Sequence, residues 1–245
     1  LTTFLKLSNL VIIKQTIMSA IAQSLINVRQ RIIKAALQYS RTPDSIQLLV
    51  VSKTRPVDDL LQAIAGGQIR FGENYVQEAL PKIQALQAYQ QLEWHFTGPL
   101  QSNKTRLIAE NFHWVHSLDS LKLAQRLNDQ RPTELTPLNV CLQVNVSEEP
   151  QKAGILVEEI PALAQAVVNL PRLQLRGLMT LPAPSENFEQ QRLPFRILFQ
   201  AYRQLQAAGF KLDTLSMGMT DDMEAAIAEG ATMVRIGTAI FGVRR

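Results

Sequence analysis

Residues 47–53 read QLLVVSK, a short apolar run ending in two β-branched valines, then a serine and a lysine. Four apolar side chains in succession, Leu48 to Val51, mark a strand covered on both faces, as strands of parallel sheets are. Alternation places Leu49, Val51 and Lys53 on one face and Leu48, Val50 and Ser52 on the other. If the sheet closes on itself, one of those faces lines its interior.

The flanking patterns repeat this unit in both directions. Upstream, Ile21, Leu25, Val28, Ile32 and Tyr39 recur at helical spacing with Arg29, Arg31 and Lys34 off the stripe, and Pro43 ends the helix. Downstream, a helical pattern starts after Pro56 and stops at Gly66 and Gly67. The same reading predicts further strands at 69–72, 92–98, 112–116, 138–146, 173–179, 212–216 and 232–236. Helices are expected between them at 73–89, 103–110, 120–129, 158–169, 188–208 and 221–229. Strands alternating with helices in this number predict an α/β fold, a (β/α)8 TIM barrel with an additional N-terminal helix and no second domain. A doubly wound open sheet is built from similar units, and periodicity alone leaves it open.

Composition agrees with one globular barrel: 245 residues, 46% hydrophobic and 19% charged, with 12 Pro and 11 Gly. A single cysteine, Cys141, excludes an intrachain disulfide framework and fits a reducing, cytoplasmic setting. Its place in a strand pattern makes it a packed core thiol. The net charge of +4 is scattered, without the aromatic and basic clustering of a nucleic-acid surface. Within Leu1 to Ile17, Lys6, Asn9 and Lys14 interrupt the apolar residues, and Leu10 to Ile13 is too short to cross a bilayer. Residues 1–17 are therefore read as a poorly ordered extension, and 18–245 as the barrel domain.

In such barrels chemistry sits where strands end and βα loops begin. Lys53 stands there, and a partly desolvated lysine amine can attack an aldehyde; a lysine reaching out to solvent is the equal alternative. After the seventh strand come Ser216, Met217 and Gly218, and after the eighth Gly237 and Thr238, where such barrels often hold a phosphate. Asp221 and Asp222 read as helix-start residues. His113 and His116, three apart on a strand, point to opposite faces, and His95 is on another strand, so no metal site is expected. Glu73 and Glu78 read as helix-surface carboxylates, and Phe195, Leu198, Phe199, Tyr202 and Leu205 as a packing stripe.

Five segments together carry a family resemblance: VSKT at 51–54, FGENYVQE at 71–78, WHFTGPLQSNK at 94–104, LRGLM at 175–179 and the stretch 215–242. In this order they resemble the YggS/PROSC family of pyridoxal-phosphate homeostasis proteins, from about residue 18 to the end. The resemblance implies a fold-type III barrel similar to the N-terminal domain of alanine racemase, with pyridoxal 5′-phosphate as cofactor and Lys53 as the Schiff-base lysine. It further implies that Ser216, Gly237 and Thr238 hold the phosphate, that Arg235 faces the pyridine nitrogen, and that Asn74, His95 and Met217 line the pocket. An arginine there keeps the ring nitrogen unprotonated and weakens the ring as an electron sink. Racemases of this fold use a second domain and its tyrosine, which this sequence is expected to lack. The expected role is thus intracellular homeostasis of vitamin B6, as a carrier or buffer without a dedicated substrate. A monomer is expected, with enzymes that require the cofactor as partners and neither nucleic acid nor membrane involved. The alternative is an amino-acid racemase or related enzyme using Lys53 as its base.

Overall fold

The computed structural model describes residues 19–147 and 152–243; the extension read over 1–17 lies outside these residues. The strands are β1 (Gln47–Val51), β2 (Arg70–Glu73), β3 (Glu93–Phe96), β4 (Trp114–Leu118), β5 (Leu138–Gln143), β6 (Leu173–Met179), β7 (Thr214–Ser216) and β8 (Met233–Ile236). All pair in parallel and in sequential order, and β1 pairs with β8, so the sheet closes into a barrel. Closure removes the open-sheet alternative.

The helices are α1 (Ala20–Gln38), α2 (Val57–Ala65), α3 (Val76–Ala85), α4 (Thr105–Asn111), α5 (Leu121–Gln130), α6 (Ile160–Val168), α7 (Phe188–Ala207), α8 (Met223–Ala228) and α9 (Thr238–Phe241). α1 begins at Ser19, whose hydroxyl accepts the Ala22 N–H and supplies a partner to one of the donors a helix start leaves unmet. Its stripe of Leu25, Val28, Ile32, Ala35 and Ala36 is buried against α2, α8 and α9, across the seam where the barrel closes. Arg31 grips Glu224 of α8 at 2.9 Å.

The main apolar core is the layer between strands and helices. It contains Leu48 and Val50 of β1, Phe71 of β2 and Phe96 of β3. Leu49, on the other face of β1, is fully buried, and its register partner is Arg235 of β8. The Leu49, Val51 and Lys53 face is therefore the interior one. That interior departs from the usual apolar stack: beside Leu49, Trp114, Cys141 and Met179 it holds the polar side chains of His95, His116, Ser216 and Arg235, all buried. Gly177 of β6 is dictated by close approach, since a Cβ there would lie 1.7 Å from the Thr214 carbonyl oxygen.

Two sequence expectations change. Glu73 is the last residue of β2 and fully buried, with α3 starting only at Val76; Glu78 is half-buried. They belong to a polar cluster behind the sheet, because a buried lysine, Lys82, sits between them. In α7, Phe195, Leu198, Tyr202 and Leu205 pack inward, whereas Phe199 is exposed beside Gly230.

Candidate cofactor site at the barrel mouth

β1 delivers Lys53 to the C-terminal end of the barrel, on the interior face by alternation with Leu49. A recess there is lined by Val51, Lys53, Thr54, Gly237, Thr238 and Phe241. Gly237 leads into α9 and lies so close to β1 that a Cβ would stand 3.1 Å from the Val51 carbonyl oxygen. Glycine therefore lets the first turn of α9 approach the lysine. Thr238 opens that helix and lines the recess.

Arg235 enters from β8 and is almost wholly buried. It donates from one terminal nitrogen to Ser216 Oγ at 2.9 Å and from the other to the Thr180 carbonyl at 2.8 Å. Burial pulls its pKa down to about 10, against the nearby charge of Asp222. A guanidinium at that value remains a cation at neutral pH. Two fixed bonds hold its plane within the barrel.

Below Arg235 two further hydrogen bonds run into the barrel, with a carboxylate beyond them. Ser216 Oγ lies 2.8 Å from His116 Nδ1, His116 Nε2 lies 2.9 Å from His95 Nδ1, and His95 Nε2 approaches Glu93 Oε2 at 3.6 Å. Burial lowers the pKa of His95 to about 4 and that of His116 well below its ordinary value, so both rings are neutral near pH 7. Contact with His95 is the main reason the Glu93 carboxyl is held low, so it is ionised. The proton positions follow from that end. The negative charge of Glu93, 3.6 Å away, favours the hydrogen on His95 Nε2, and with that tautomer His95 Nδ1 is bare and accepts from His116 Nε2. His116 Nδ1 is then bare and accepts the Ser216 hydroxyl, which in turn accepts from Arg235. With that tautomer the three bonds from Arg235 to His95 run in one direction, and the Glu93 carboxylate stands 3.6 Å beyond the last ring nitrogen, outside hydrogen-bond distance.

Behind the wall lies a second network. Lys82 Nζ donates to the Ser52 carbonyl at 2.8 Å, to Glu73 Oε1 at 2.8 Å and to Glu78 Oε1 at 2.7 Å. Ser52 Oγ also donates to Glu73 Oε1, at 2.6 Å, and the Thr54 N–H donates to Glu78 Oε1. Burial raises the Glu73 pKa, opposed by the charge and hydrogen bond of Lys82.

The remaining expected site residues fall in different layers. Asn74 follows β2 at the mouth, where its Oδ1 accepts the Thr97 hydroxyl at 2.9 Å. His95 lies inside the barrel below the mouth, stacked on Trp114 at 5.3 Å between ring centroids. Met217 is fully buried and packs in the layer between strands and helices, because alternation turns it away from Ser216. The Ser216 hydroxyl is already committed to Arg235 and His116. Asp222 precedes α8 as its cap residue, but its carboxylate accepts the Met219 N–H in the loop, not a donor of its own helix. Sequence spacing missed the meeting of His95 and His116, which follows from β3 and β4 pairing side by side. No group of three or more His, Cys, Asp or Glu suited to a metal is found among the described residues.

A closed parallel barrel carrying a mouth lysine on its first strand and a buried arginine on its last defines the class of the alanine racemase N-terminal domain, whose family model matches residues 33–245. The pyridoxal phosphate homeostasis protein of Escherichia coli (strain K12) is 54% identical over 229 residues, 93% of this chain and 98% of its own length. The protein of that name from Pseudomonas aeruginosa is 56% identical over 227 residues, 93% of this chain and 97% of its own. The solved structure of PipY from Synechococcus elongatus PCC7942 with PLP bound is 38% identical, with a TM-score of 0.77, covering 91% of this chain and all of that one. The chain belongs to the pyridoxal phosphate homeostasis protein family.

Proposed function

We propose that this chain binds pyridoxal 5′-phosphate at the barrel mouth and serves homeostasis of that cofactor inside the cell, holding and passing it on without turning over a dedicated substrate. The relatives' name and the PLP-bound state of PipY support this reading. The observation that carries it in this chain is the convergence of Lys53, Gly237, Thr238 and the buried Arg235 on one end of the barrel. The binding unit is the barrel domain read over 18–245, acting as a monomer in the cytoplasm, with enzymes that need the cofactor as its recipients.

The residues present fit the group. The close approach of Gly237 to Val51 keeps the α9 start near Lys53, where Thr238 and backbone N–H groups suit a phosphate. Arg235 suits a ring nitrogen that stays unprotonated, since it donates and cannot accept. Asn74 stands at the mouth, while His95 and Met217 act from the layers beneath and behind it. Ser216 takes part chiefly by orienting Arg235. When bound, the cofactor supplies an aldehyde to which an amine adds reversibly. Lys53 supplies that amine, and the open end of the barrel lets competing amines from solution reach the site.

Borohydride reduction in the presence of pyridoxal phosphate, followed by peptide mapping, tests the reading: label is expected on Lys53. Label elsewhere would overturn the assignment. Titration should show Arg235→Glu weakening binding far more than Arg203→Glu, whose side chain lies on the outside of α7. Amino-acid racemisation by the wild type that vanishes in Lys53→Ala would replace homeostasis with an enzymatic role.

A further inference from the structure

The Lys82 network grips the chain on both sides of Lys53. Immediately before it, the Ser52 carbonyl and hydroxyl bind Lys82 Nζ and Glu73 Oε1; immediately after it, the Thr54 N–H binds Glu78 Oε1. Lys82 joins the two carboxylates through short contacts of 2.8 and 2.7 Å. Thr54 meanwhile has a φ of +65°, the left-handed region that a β-branched residue adopts only when its surroundings impose it. Glu78, one helical turn from Lys82, is the side chain that meets the Thr54 amide. A buried ammonium, costly to desolvate, thus holds the Ser52 carbonyl directly and the Thr54 amide through Glu78.

We propose that Lys82 and Glu78 are positioning residues for Lys53: from behind the barrel wall they hold the 52–54 turn in its left-handed form, which presents the Lys53 amine to the mouth. The proposal rests on Lys53 being the attachment site. Ser52 Oγ reaches Glu73 behind the wall while Lys53 lines the recess at the mouth, and the bonds from Lys82 and to Glu78 engage the backbone of the turn. Without the hub, Thr54 relaxes toward negative φ and the amine leaves its presented position.

The test uses the full chain with Glu78→Ala, Glu78→Gln and the double variant Glu78→Ala/Thr54→Gly. Glu78 is 27% exposed, so these variants are expected to fold. Without cofactor, hydrogen exchange at the Thr54 amide should quicken about tenfold in Glu78→Ala while the β1 amides keep their protection. With pyridoxal phosphate, the rate of borohydride-trapped labelling at Lys53 should fall about fivefold or more. Glu78→Gln keeps an acceptor oxygen and should restore both. Glycine enters the left-handed region without cost, so the double variant should recover labelling but not exchange protection. Wild-type labelling rate in Glu78→Ala, or no recovery in the double variant, would overturn the positioning role. Absence of Lys53 label in the wild type would instead overturn the attachment site itself.

Discussion

The two polar networks beside Lys53 are buried alike and built differently. Inside the barrel, neutral Ser216, His116 and His95 follow a guanidinium in single file, with the Glu93 carboxylate near its far end. Behind the wall, Lys82 is a hub with two carboxylates and a peptide carbonyl around one ammonium. In the file, Ser216 and His116 each have one partner on each side, and the Glu93 charge beyond His95 biases the proton positions. In the hub, one ammonium faces both carboxylates, so its removal leaves their charges uncompensated even though Ser52 and Thr54 still donate to them. The file suits an arginine whose plane must be fixed; the hub suits a turn whose backbone must be held.

The largest expected effect is therefore at the hub. Lys82→Ala leaves the Glu73 carboxylate buried and uncompensated, and urea denaturation at pH 7 should show a loss of about 3–5 kcal/mol. A loss no larger than that of a surface lysine would mean the hub is a solvated cluster.

Acid separates the networks by sign. His95 titrates at about 4 in the folded chain against 6.5 for the free group. Its native pKa is depressed, so the stabilisation is complete above pH 6.5 and drains away as pH falls toward 4, by about 3 kcal/mol for this residue. His116 adds in the same direction. Glu73 has a raised native pKa, so its protonation favours the folded chain as pH falls, and its charge weakens stability as pH rises through that value. Denaturation of wild type and His95→Gln between pH 7 and 4.5 should show a shallower acid loss in the variant. Parallel curves would contradict neutral, buried rings.

Ser216→Ala breaks the file in the middle and leaves an Arg235 N–H and His116 Nδ1 unmet, at about 1–3 kcal/mol. Lys53→Ala should be the mildest, about 0.5 kcal/mol or less by thermal unfolding, because a half-exposed side chain at a strand end fills little core. A Lys53 change as costly as Lys82→Ala would erase the distinction between a presented residue and its support.

Much of this was legible from pattern. The alternation of QLLVVSK placed Lys53 with Leu49, and the pairing of Leu49 with Arg235 makes that face the interior. Glu73 reads as a helix-surface acid because it stands within FGEN just ahead of a helical pattern; only the packing of α3 on β2 brings Lys82 to it, nine residues away. The same alternation, carried to the end of β7, would have turned Met217 away from the mouth.

The sequence by itself determined the strand and helix order, the closed barrel as the leading fold, the family resemblance and the lysine at the end of the first strand. These depend on periodicity and on contiguous motifs, which are local properties of a chain. Only the tertiary structure decided that His95, His116, Ser216 and Arg235 form one directed file, and that Lys82 and Glu78 clasp the turn around Lys53. Those contacts span up to a hundred residues, as between His116 and Ser216, and depend on barrel register and on burial, which shifts pKa values only once the chain has closed.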